Sequence, residues 1–278
     1  MMHIAILSGK GGTGKTFVST NLSACIKGST YLDCDVEEPN GSLLLHPTIT
    51  SKEVVTKLMP ETNQDICIGC RKCVDICRFG ALAFLGGKPM VFPEVCHSCG
   101  GCTLVCPTGA MSEKPQSVGI LENGTFLENN HITTGILNVG EASAVSLISA
   151  VLKKAQNDTI IDCPPGSACS VMESIKGCDY CVLVAEPTIF GLHNLKMVYD
   201  LVRVFKKPYG IVINKCEDES NLIDDFCKQE QIEILERIPF TKTIASNNAR
   251  GHLAVTIDQT LHELFSDLAN KLKERTSL

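Results

Sequence analysis

The fold of this chain is decided by the stretch Gly9-Lys10-Gly11-Gly12-Thr13-Gly14-Lys15-Thr16, which fits the phosphate-binding pattern G-x-x-x-x-G-K-[ST]. A short apolar run, His3 to Ser8, precedes it, and a segment with helical spacing, Thr16 to Lys27, follows it. Glycines allow backbone N–H groups to converge on phosphates, and the start of the helix adds its positive end. Lys15 can then reach the β and γ oxygens, and the Thr16 hydroxyl can ligate Mg²⁺. The competing interpretation is a glycine-rich turn that binds no ligand.

Outside this loop, short apolar runs alternate with segments of helical periodicity. The further strands that this pattern predicts are Ser29 to Asp33, Thr159 to Asp162, Cys181 to Ala185, Tyr209 to Ile213 and Ile232 to Leu235. The further helices are Ala142 to Ala155, Leu192 to Phe205 and Asp258 to Lys273. We therefore predict an α/β fold with a doubly wound, mostly parallel sheet and helices on both faces. Between two apolar runs in Val118 to Leu127, Asn123-Gly124 predicts a two-residue hairpin turn.

The composition is that of a folded protein, because 44% of the 278 residues are hydrophobic and 20% are charged. Lys and Arg number 25 against 31 Asp and Glu, so the net charge of -6 offers no field that attracts nucleic acid or anionic lipid. We therefore expect no nucleic-acid partner and no stable membrane insertion. No apolar run is long enough to span a bilayer, and the first residues lack a signal-peptide pattern, so we expect a cytoplasmic protein.

Cysteine is the outlying residue type, since there are 16 and half of them fall in one short stretch. A chain of this size without an export signal has little need of disulfides, so metal or redox chemistry is favoured. The stretch holds two runs related by a constant offset of 29 residues, Cys67, Cys70, Cys73 and Cys77 and then Cys96, Cys99, Cys102 and Cys106. The alternation of strands and helices also breaks here. We therefore predict an insertion at residues 62–111 within a main domain of residues 1–61 and 112–278.

Each run has the spacing C-x-x-C-x-x-C-x-x-x-C, which resembles the signature of a bacterial-type ferredoxin with two 4Fe-4S clusters. In that family the fourth cysteine of each run ligates the cluster of the other run. The resemblance implies that cluster one is held by Cys67, Cys70, Cys73 and Cys106. It implies that cluster two is held by Cys96, Cys99, Cys102 and Cys77. Two zinc sites of four thiolates each, or a disulfide framework, are the alternatives.

The lysine at the second position of the phosphate-binding loop makes the motif more specific. KGGTGKT resembles the deviant Walker A loop of the MinD, ParA, Mrp and nitrogenase iron protein superfamily. Asp33-Cys34-Asp35 resembles the first switch of that superfamily, and Asp162-Cys163-Pro164-Pro165-Gly166 resembles its Walker B motif and second switch. In these proteins the early lysine reaches the nucleotide of a second subunit. The resemblance therefore implies an ATPase that forms an ATP-dependent dimer through Lys10, either with itself or with a related chain.

Further roles follow from the resemblance at matching positions. The nucleotide-binding residues that it implies are Gly11, Gly12, Thr13, Gly14, Lys15, Thr16 and Asn214, the last of which contacts adenine. Asp35 is expected to orient the attacking water, and Asp162 is expected to complete the Mg²⁺ shell together with Thr16. Lys10, Lys15 and Asp35 would then be the catalytic residues, acting by positioning and charge neutralisation in phosphoryl transfer. For Asp33 and Asp35, turn or cap chemistry at a strand end is the alternative.

Three functions fit these parts. The leading hypothesis is ATP-gated electron transfer, in which nucleotide-driven rearrangement lets a 4Fe-4S cluster pass electrons to a redox partner protein. The second is iron-sulfur cluster assembly or delivery, as in Mrp-like carriers. Those carry a cysteine pair after the adenine-contacting strand, where this chain has Glu217-Asp218-Glu219-Ser220. The third is spatial positioning, as in MinD and ParA, which the net charge and the mixed charges of the Asp258 to Lys273 helix disfavour.

Overall fold

The computed structural model describes residues 1–217 and 222–276, which form two compact units. The first unit comprises Met1–Glu53, Leu121–Ile136 and Ile148–Leu278, and the second comprises Val54–Ile120 and Leu137–Leu147. The predicted insertion, residues 62–111, lies within the second unit. Among the residues described, no helix is long and apolar enough to cross a membrane.

The secondary structure alternates between strands and helices along most of the chain. The strands are β1 (His3–Leu7), β2 (Thr30–Asp33), β3 (Thr48–Thr62), β4 (Leu82–Leu85), β5 (Lys88–Val91), β6 (Met111–Phe126), β7 (Asn130–Leu137), β8 (Thr159–Asp162), β9 (Tyr180–Ala185), β10 (Tyr209–Cys216) and β11 (Ile234–Pro239). The helices are α1 (Lys15–Cys25), α2 (Gly41–Leu45), α3 (Lys72–Ile76), α4 (Gly101–Leu104), α5 (Val145–Leu152), α6 (Cys169–Ile175), α7 (Ile189–Val204), α8 (Leu222–Glu230), α9 (Lys242–Ala249) and α10 (Gln259–Thr276).

The main sheet has the strand order β11-β10-β9-β1-β8-β2-β7-β6-β3. From β11 to β7, each neighbouring pair of strands is parallel, so the prediction of an α/β fold with a mostly parallel sheet is confirmed. Asp162 on β8 pairs with Ile6 on β1 and with Asp33 on β2. The carboxyl ends of these three strands therefore meet at one edge, where open parallel sheets bind their ligands.

The core of the first unit lies around the contact between α1 and α10. The rings of Phe17 and Phe265 meet edge to face there, with centroids 6.0 Å apart. α10 buries one side of its surface, and this side consists of Leu261, Phe265, Leu268, Ala269 and Leu272. Burying each large apolar side chain contributes about 1.5–3 kcal/mol, so the predicted C-terminal helix is a docked part of the core.

The second unit has a backbone that repeats with the 29-residue offset of its cysteines. α3 begins at Lys72 and α4 begins at Gly101. Left-handed backbone conformations recur at the same offset, in the pairs Gly69 and Ser98, Arg71 and Gly100, and Gly80 and Gly109. Within residues 62–111, the buried residues are Cys73, Ala81, Leu82, Pro89, Ala110 and Met111. Cys73, Leu82 and Met111 pack together, with Val74, Val91 and three further cysteines against them. This cysteine-rich segment therefore has a small apolar core.

The predicted hairpin turn at Asn123-Gly124 is wrong. Both residues lie inside β6, and the turn into β7 falls at residues 127–129, where Leu127 adopts a φ of 49°. Asn123 instead accepts a hydrogen bond from the Thr133 hydroxyl at 2.9 Å. Gly124 is required by close approach, because a Cβ there would lie 2.6 Å from the carbonyl oxygen of Thr48 on β3.

This close approach predicts that Gly124→Ala lowers the free energy of unfolding by about 1–3 kcal/mol, the usual cost of overpacking. Urea unfolding followed by circular dichroism measures the change. The matched control is Gly177→Ala, because a Cβ at this exposed glycine meets nothing within 4 Å. We expect the control to change the free energy by less than about 0.5 kcal/mol. Equal effects of the two substitutions would contradict the conclusion that the close approach of β3 requires glycine at position 124.

Candidate functional site

The phosphate-binding loop connects β1 to α1 as predicted. Gly12 and Gly14 adopt φ values of 83° and 93°, which glycine adopts without strain. At Gly14 a Cβ would also lie 2.0 Å from the amide nitrogen of the Asn214 side chain. α1 begins directly afterwards at Lys15, so its first backbone N–H groups border the loop. The loop therefore presents backbone to a ligand, as phosphate binding requires.

Lys15 joins two of the predicted carboxylates. Its Nζ atom lies 2.6 Å from Asp162 Oδ1 and 3.5 Å from Asp35 Oδ2. The lysine side chain is 6% exposed and that of Asp162 is 0% exposed. Burial alone would lower the pKa of Lys15, but attraction to Asp162 and Asp35 raises its pKa overall. The structure thus brings together three predicted residues from α1, from β8 and from the end of β2.

Tyr31 is a functional residue that the sequence reasoning missed. Its hydroxyl donates a hydrogen bond to Asp162 Oδ2 at 2.8 Å and lies 3.3 Å from the Ser19 hydroxyl. Tyr31 is fully buried on β2, and burial together with Asp162 raises its pKa well above the ordinary value. With Lys15 on Oδ1 and Tyr31 on Oδ2, both carboxylate oxygens of Asp162 have partners. The signal in the sequence was a tyrosine in this strand, because all four residues of β2 are buried and a buried hydroxyl needs a hydrogen-bond partner.

Asp33 and Asp35 occupy different environments despite their spacing. Asp33 is fully buried, and its Oδ2 accepts a hydrogen bond from the backbone N–H of Gly41 at 3.0 Å. Its Oδ1 accepts from the backbone N–H of Asp35 at 3.3 Å. Burial and the nearby Asp162 raise the pKa of Asp33. Asp33 therefore organises the turn between β2 and α2, whereas Asp35 faces Lys15.

Asn214 and Lys215 hold the phosphate-binding loop from β10. The Asn214 amide donates to the carbonyl oxygen of Thr13 at 2.9 Å and is buried. Lys215 Nζ donates to the carbonyl oxygen of Gly12 at 2.9 Å and also pairs with Glu186. Both residues lie in β10, which spans Tyr209–Cys216. Of the stretch Glu217–Ser220, residues 218–220 lie outside the described residues.

Lys10 differs from Lys15 in its surroundings. It is exposed, and its side chain has no hydrogen bond or ion pair within residues 1–217 and 222–276. It lines a cavity of about 250 Å³ beside the phosphate-binding loop, together with Glu186, Phe190 and Asn194. An exposed, unpaired lysine at this position is available to a ligand or to a second chain.

The predicted cluster cysteines line two cavities in the second unit. The cysteines that line one cavity are Cys67, Cys70, Cys73 and Cys106. The cysteines that line the other are Cys77, Cys96, Cys99 and Cys102. Each cavity therefore combines three cysteines of one run with the fourth of the other. Within the described part of the chain, no three His, Cys, Asp or Glu side chains are arranged to hold a single metal ion.

Over residues 4–255, the chain matches the family described as the CobQ/CobB/MinD/ParA nucleotide binding domain. The chain belongs to this family, and the prediction of a nucleotide-binding ATPase is confirmed. It is 31% identical to the uncharacterized protein MJ0578 of Methanocaldococcus jannaschii, over 99% of this chain and 97% of the relative. The septum site-determining protein MinD of Pyrococcus horikoshii, solved with Mg-ADP, has a TM-score of 0.61 at 20% identity, covering 98% of this chain and 96% of that chain.

Two further relatives bear on the cysteines. The iron-sulfur cluster carrier protein of Pyrococcus horikoshii is 24% identical over 98% of this chain and 86% of its own length. The uncharacterized ferredoxin MJ0722 of Methanocaldococcus jannaschii is 38% identical over 53 residues, which are 18% of this chain and 69% of the relative. The first likeness extends along nearly the whole chain, and the second is confined to one segment.

The environment of Asp35 predicts a specific pH dependence of stability. Burial raises the pKa of Asp35 from 3.8 to about 6, so the folded chain binds more protons than the unfolded chain between these values. The contribution of Asp35 to stability is therefore lost as the pH rises through about 6. Asp35→Asn removes this loss, so its free energy of unfolding relative to wild type should rise by about 1–3 kcal/mol between about pH 4 and pH 7.

Urea unfolding across that pH range measures the difference between Asp35→Asn and wild type. Asp200→Asn is the control, because it removes an exposed carboxylate on α7. We expect the control to follow the wild-type pH dependence. A difference between Asp35→Asn and wild type that is constant with pH would show that Asp35 titrates like an ordinary carboxylate.

Proposed function

We propose that this ATPase couples ATP binding and hydrolysis to one-electron transfer through two 4Fe-4S clusters held by the second unit. The observation that carries the proposal is the pair of cysteine cavities, each lined by three cysteines of one run and the fourth of the other. Bacterial-type ferredoxins hold two clusters by this exchange of the fourth ligand. The relative named as a ferredoxin supports the same assignment. In this proposal residues 62–111 are the ferredoxin insertion.

The chemistry of the donors fits such clusters. Thiolates are the usual ligands of 4Fe-4S clusters, and hydrogen bonds to the sulfurs influence their reduction potentials. The backbone N–H of Met111 donates to Cys106 Sγ at 3.3 Å, and that of Ser98 donates to Cys96 Sγ at 3.5 Å. When bound, the clusters would supply one-electron redox chemistry. Their ligation would also stabilise residues 62–111, which have a small apolar core.

In the proposed ATPase cycle, Lys15 exchanges its carboxylate partners for the β and γ oxygens of ATP. Asp162 then becomes available to the Mg²⁺ shell together with Thr16, and Asp35 becomes available to orient the attacking water. Asn214 contacts adenine from its place beside the loop. These residues act by positioning and charge neutralisation, which is how proteins catalyse phosphoryl transfer.

The exchange of partners at Lys15 provides a means of coupling. Asp35 lies at the end of β2, and the chain continues from there through α2 into β3, which enters the second unit at Val54. A change in the position of Asp35 is therefore transmitted along the chain segment that leads to the cysteines. Exposed Lys10 fits the proposed ATP-dependent dimer, in which it would reach the nucleotide of a second copy or a related ATPase. The electrons would pass to a redox partner protein.

Iron-sulfur cluster delivery is the second candidate, because the carrier protein of Pyrococcus horikoshii is similar to nearly the whole chain. A carrier must release its cluster, whereas four cysteines from two runs surround each cavity here. Such complete ligation favours retention over release. Transfer of both clusters to an apo-ferredoxin within minutes, measured by its visible absorption, would favour delivery over electron transfer.

Paired cysteine substitutions test the clusters and the exchange of ligands together. Anaerobically reconstituted wild type should hold about eight iron atoms per chain. C67S/C106S changes two cysteines of one cavity, so it should lose about half of the iron. C67S/C77S changes one cysteine in each cavity, so it should disturb both clusters.

Iron analysis and electron paramagnetic resonance of the dithionite-reduced protein provide the measurements. C169S is the control, because Cys169 is exposed and lies outside both runs. It should retain the wild-type iron content. Wild type that binds only zinc, or the same loss of iron in C67S/C106S and C67S/C77S, would contradict the proposed ligand sets.

A further inference from the structure

The two cysteine cavities are related by the 29-residue repeat, but a cation lines the first and a carboxylate lines the second, each at a position whose equivalent is uncharged. Arg71 lines the cavity of Cys67, and the residue at the equivalent position is Gly100, which lines the other cavity. Phe84 lines the first cavity, and its equivalent in the second is Glu113. Arg71 and Phe84 at the first site therefore correspond to Gly100 and Glu113 at the second.

The two charges come from the same pair of positions in the repeat. Arg71 and Gly100 have nearly the same φ, 67° and 71°, so the backbone is equivalent at the two sites. The Arg71 guanidinium lies 5.0 Å from the centre of the Phe84 ring. At the other site, a Cβ on Gly100 would lie 3.7 Å from Glu113 Oε1. In each site the two positions are therefore close together, and the charge on the pair is positive in the first site and negative in the second.

The other nearby groups do not cancel this difference. Beside the first site, Lys88 Nζ donates to the carbonyl oxygen of Cys67 at 2.8 Å, although Lys88 does not line the cavity. Asp75 is 3.9 Å from Arg71 Nε, and it does not line the cavity either, whereas Arg71 does. At the second site, His97 stacks on Phe79 and forms part of the cavity wall. Arg78 follows Cys77 but does not line the cavity.

We propose that Arg71 and Glu113 make the two cluster sites unequal, so that the site of Cys67 is reduced first and receives electrons from the site of Cys96. This inference rests on the proposed function. A nearby cation stabilises the additional negative charge of a reduced cluster, and a nearby carboxylate disfavours it. In this transfer the site of Cys96 loses one electron and the site of Cys67 gains it. No bond is broken and no proton moves. The direction of internal electron transfer then follows from two side chains.

Exchanging the two environments tests the inference. R71G/F84E gives the first site the residues of the second, and G100R/E113F does the reverse. Arginine already adopts this backbone at position 71, and the nearest atom to a Cβ at Gly100 belongs to the glutamate that is removed. An anaerobic dithionite titration with mediators, followed by electron paramagnetic resonance, gives two midpoint potentials for each variant.

Wild type should show two separate midpoints. R71G/F84E should lower the higher midpoint, and G100R/E113F should raise the lower midpoint. Each shift should correspond to at least about a tenfold change in the one-electron equilibrium, which is about 59 mV. K72Q is the matched control, because Lys72 is exposed and lines neither cavity. It should change the equilibrium by less than about threefold.

Several results would overturn the inference. These are coincident midpoints in wild type, shifts in the opposite direction, or the same shift in K72Q as in R71G/F84E, all with about eight iron atoms retained. Retained iron also shows that the substituted second unit is folded. A wild-type chain that binds no iron would overturn the proposed function and this inference together, and iron analysis before the titration separates that failure from the others.

Discussion

The ion pair between Lys15 and Asp162 is the interaction on which the nucleotide site depends. Both side chains are buried, and a buried charge is tolerated only when a partner neutralises it. The carboxylate of Asp162 neutralises the lysine. Tyr31 anchors the other carboxylate oxygen, so the pair connects α1, β2 and β8 at one edge of the sheet.

The cysteine-rich segment, residues 62–111, depends on a different constraint, because its buried residues are Cys73, Ala81, Leu82, Pro89, Ala110 and Met111. Metal-thiolate bonds between the two runs would add crosslinks to this small core. The exchange of the fourth cysteine would make each cluster a crosslink between halves of the repeat. Assembly of the clusters and folding of the unit would then be one process. In this proposal the repeat supplies the symmetry, and the side chains that break it would supply the redox difference.

The sequence predicted the features that depend on fixed spacing. The phosphate-binding loop, the parallel sheet and the grouping of the cysteines all follow from local patterns of one or two residue types. It did not reveal the partnership of Tyr31 with Asp162, because the two residues are 131 positions apart and a tyrosine in a strand is usually core. The turn at Asn123-Gly124 was wrong for a related reason. Glycine there accommodates the backbone of β3, a tertiary contact that local turn chemistry does not encode.

The central claim is that the nucleotide state and the redox state of one chain are coupled. The most direct measurement is the midpoint potentials of the reconstituted wild type without nucleotide, with Mg-ADP and with Mg-ATP. The account predicts that Mg-ATP shifts at least one midpoint by about 59 mV or more, a tenfold change in a one-electron equilibrium. Identical midpoints in all three states, with both clusters present and nucleotide binding confirmed by calorimetry, would contradict it.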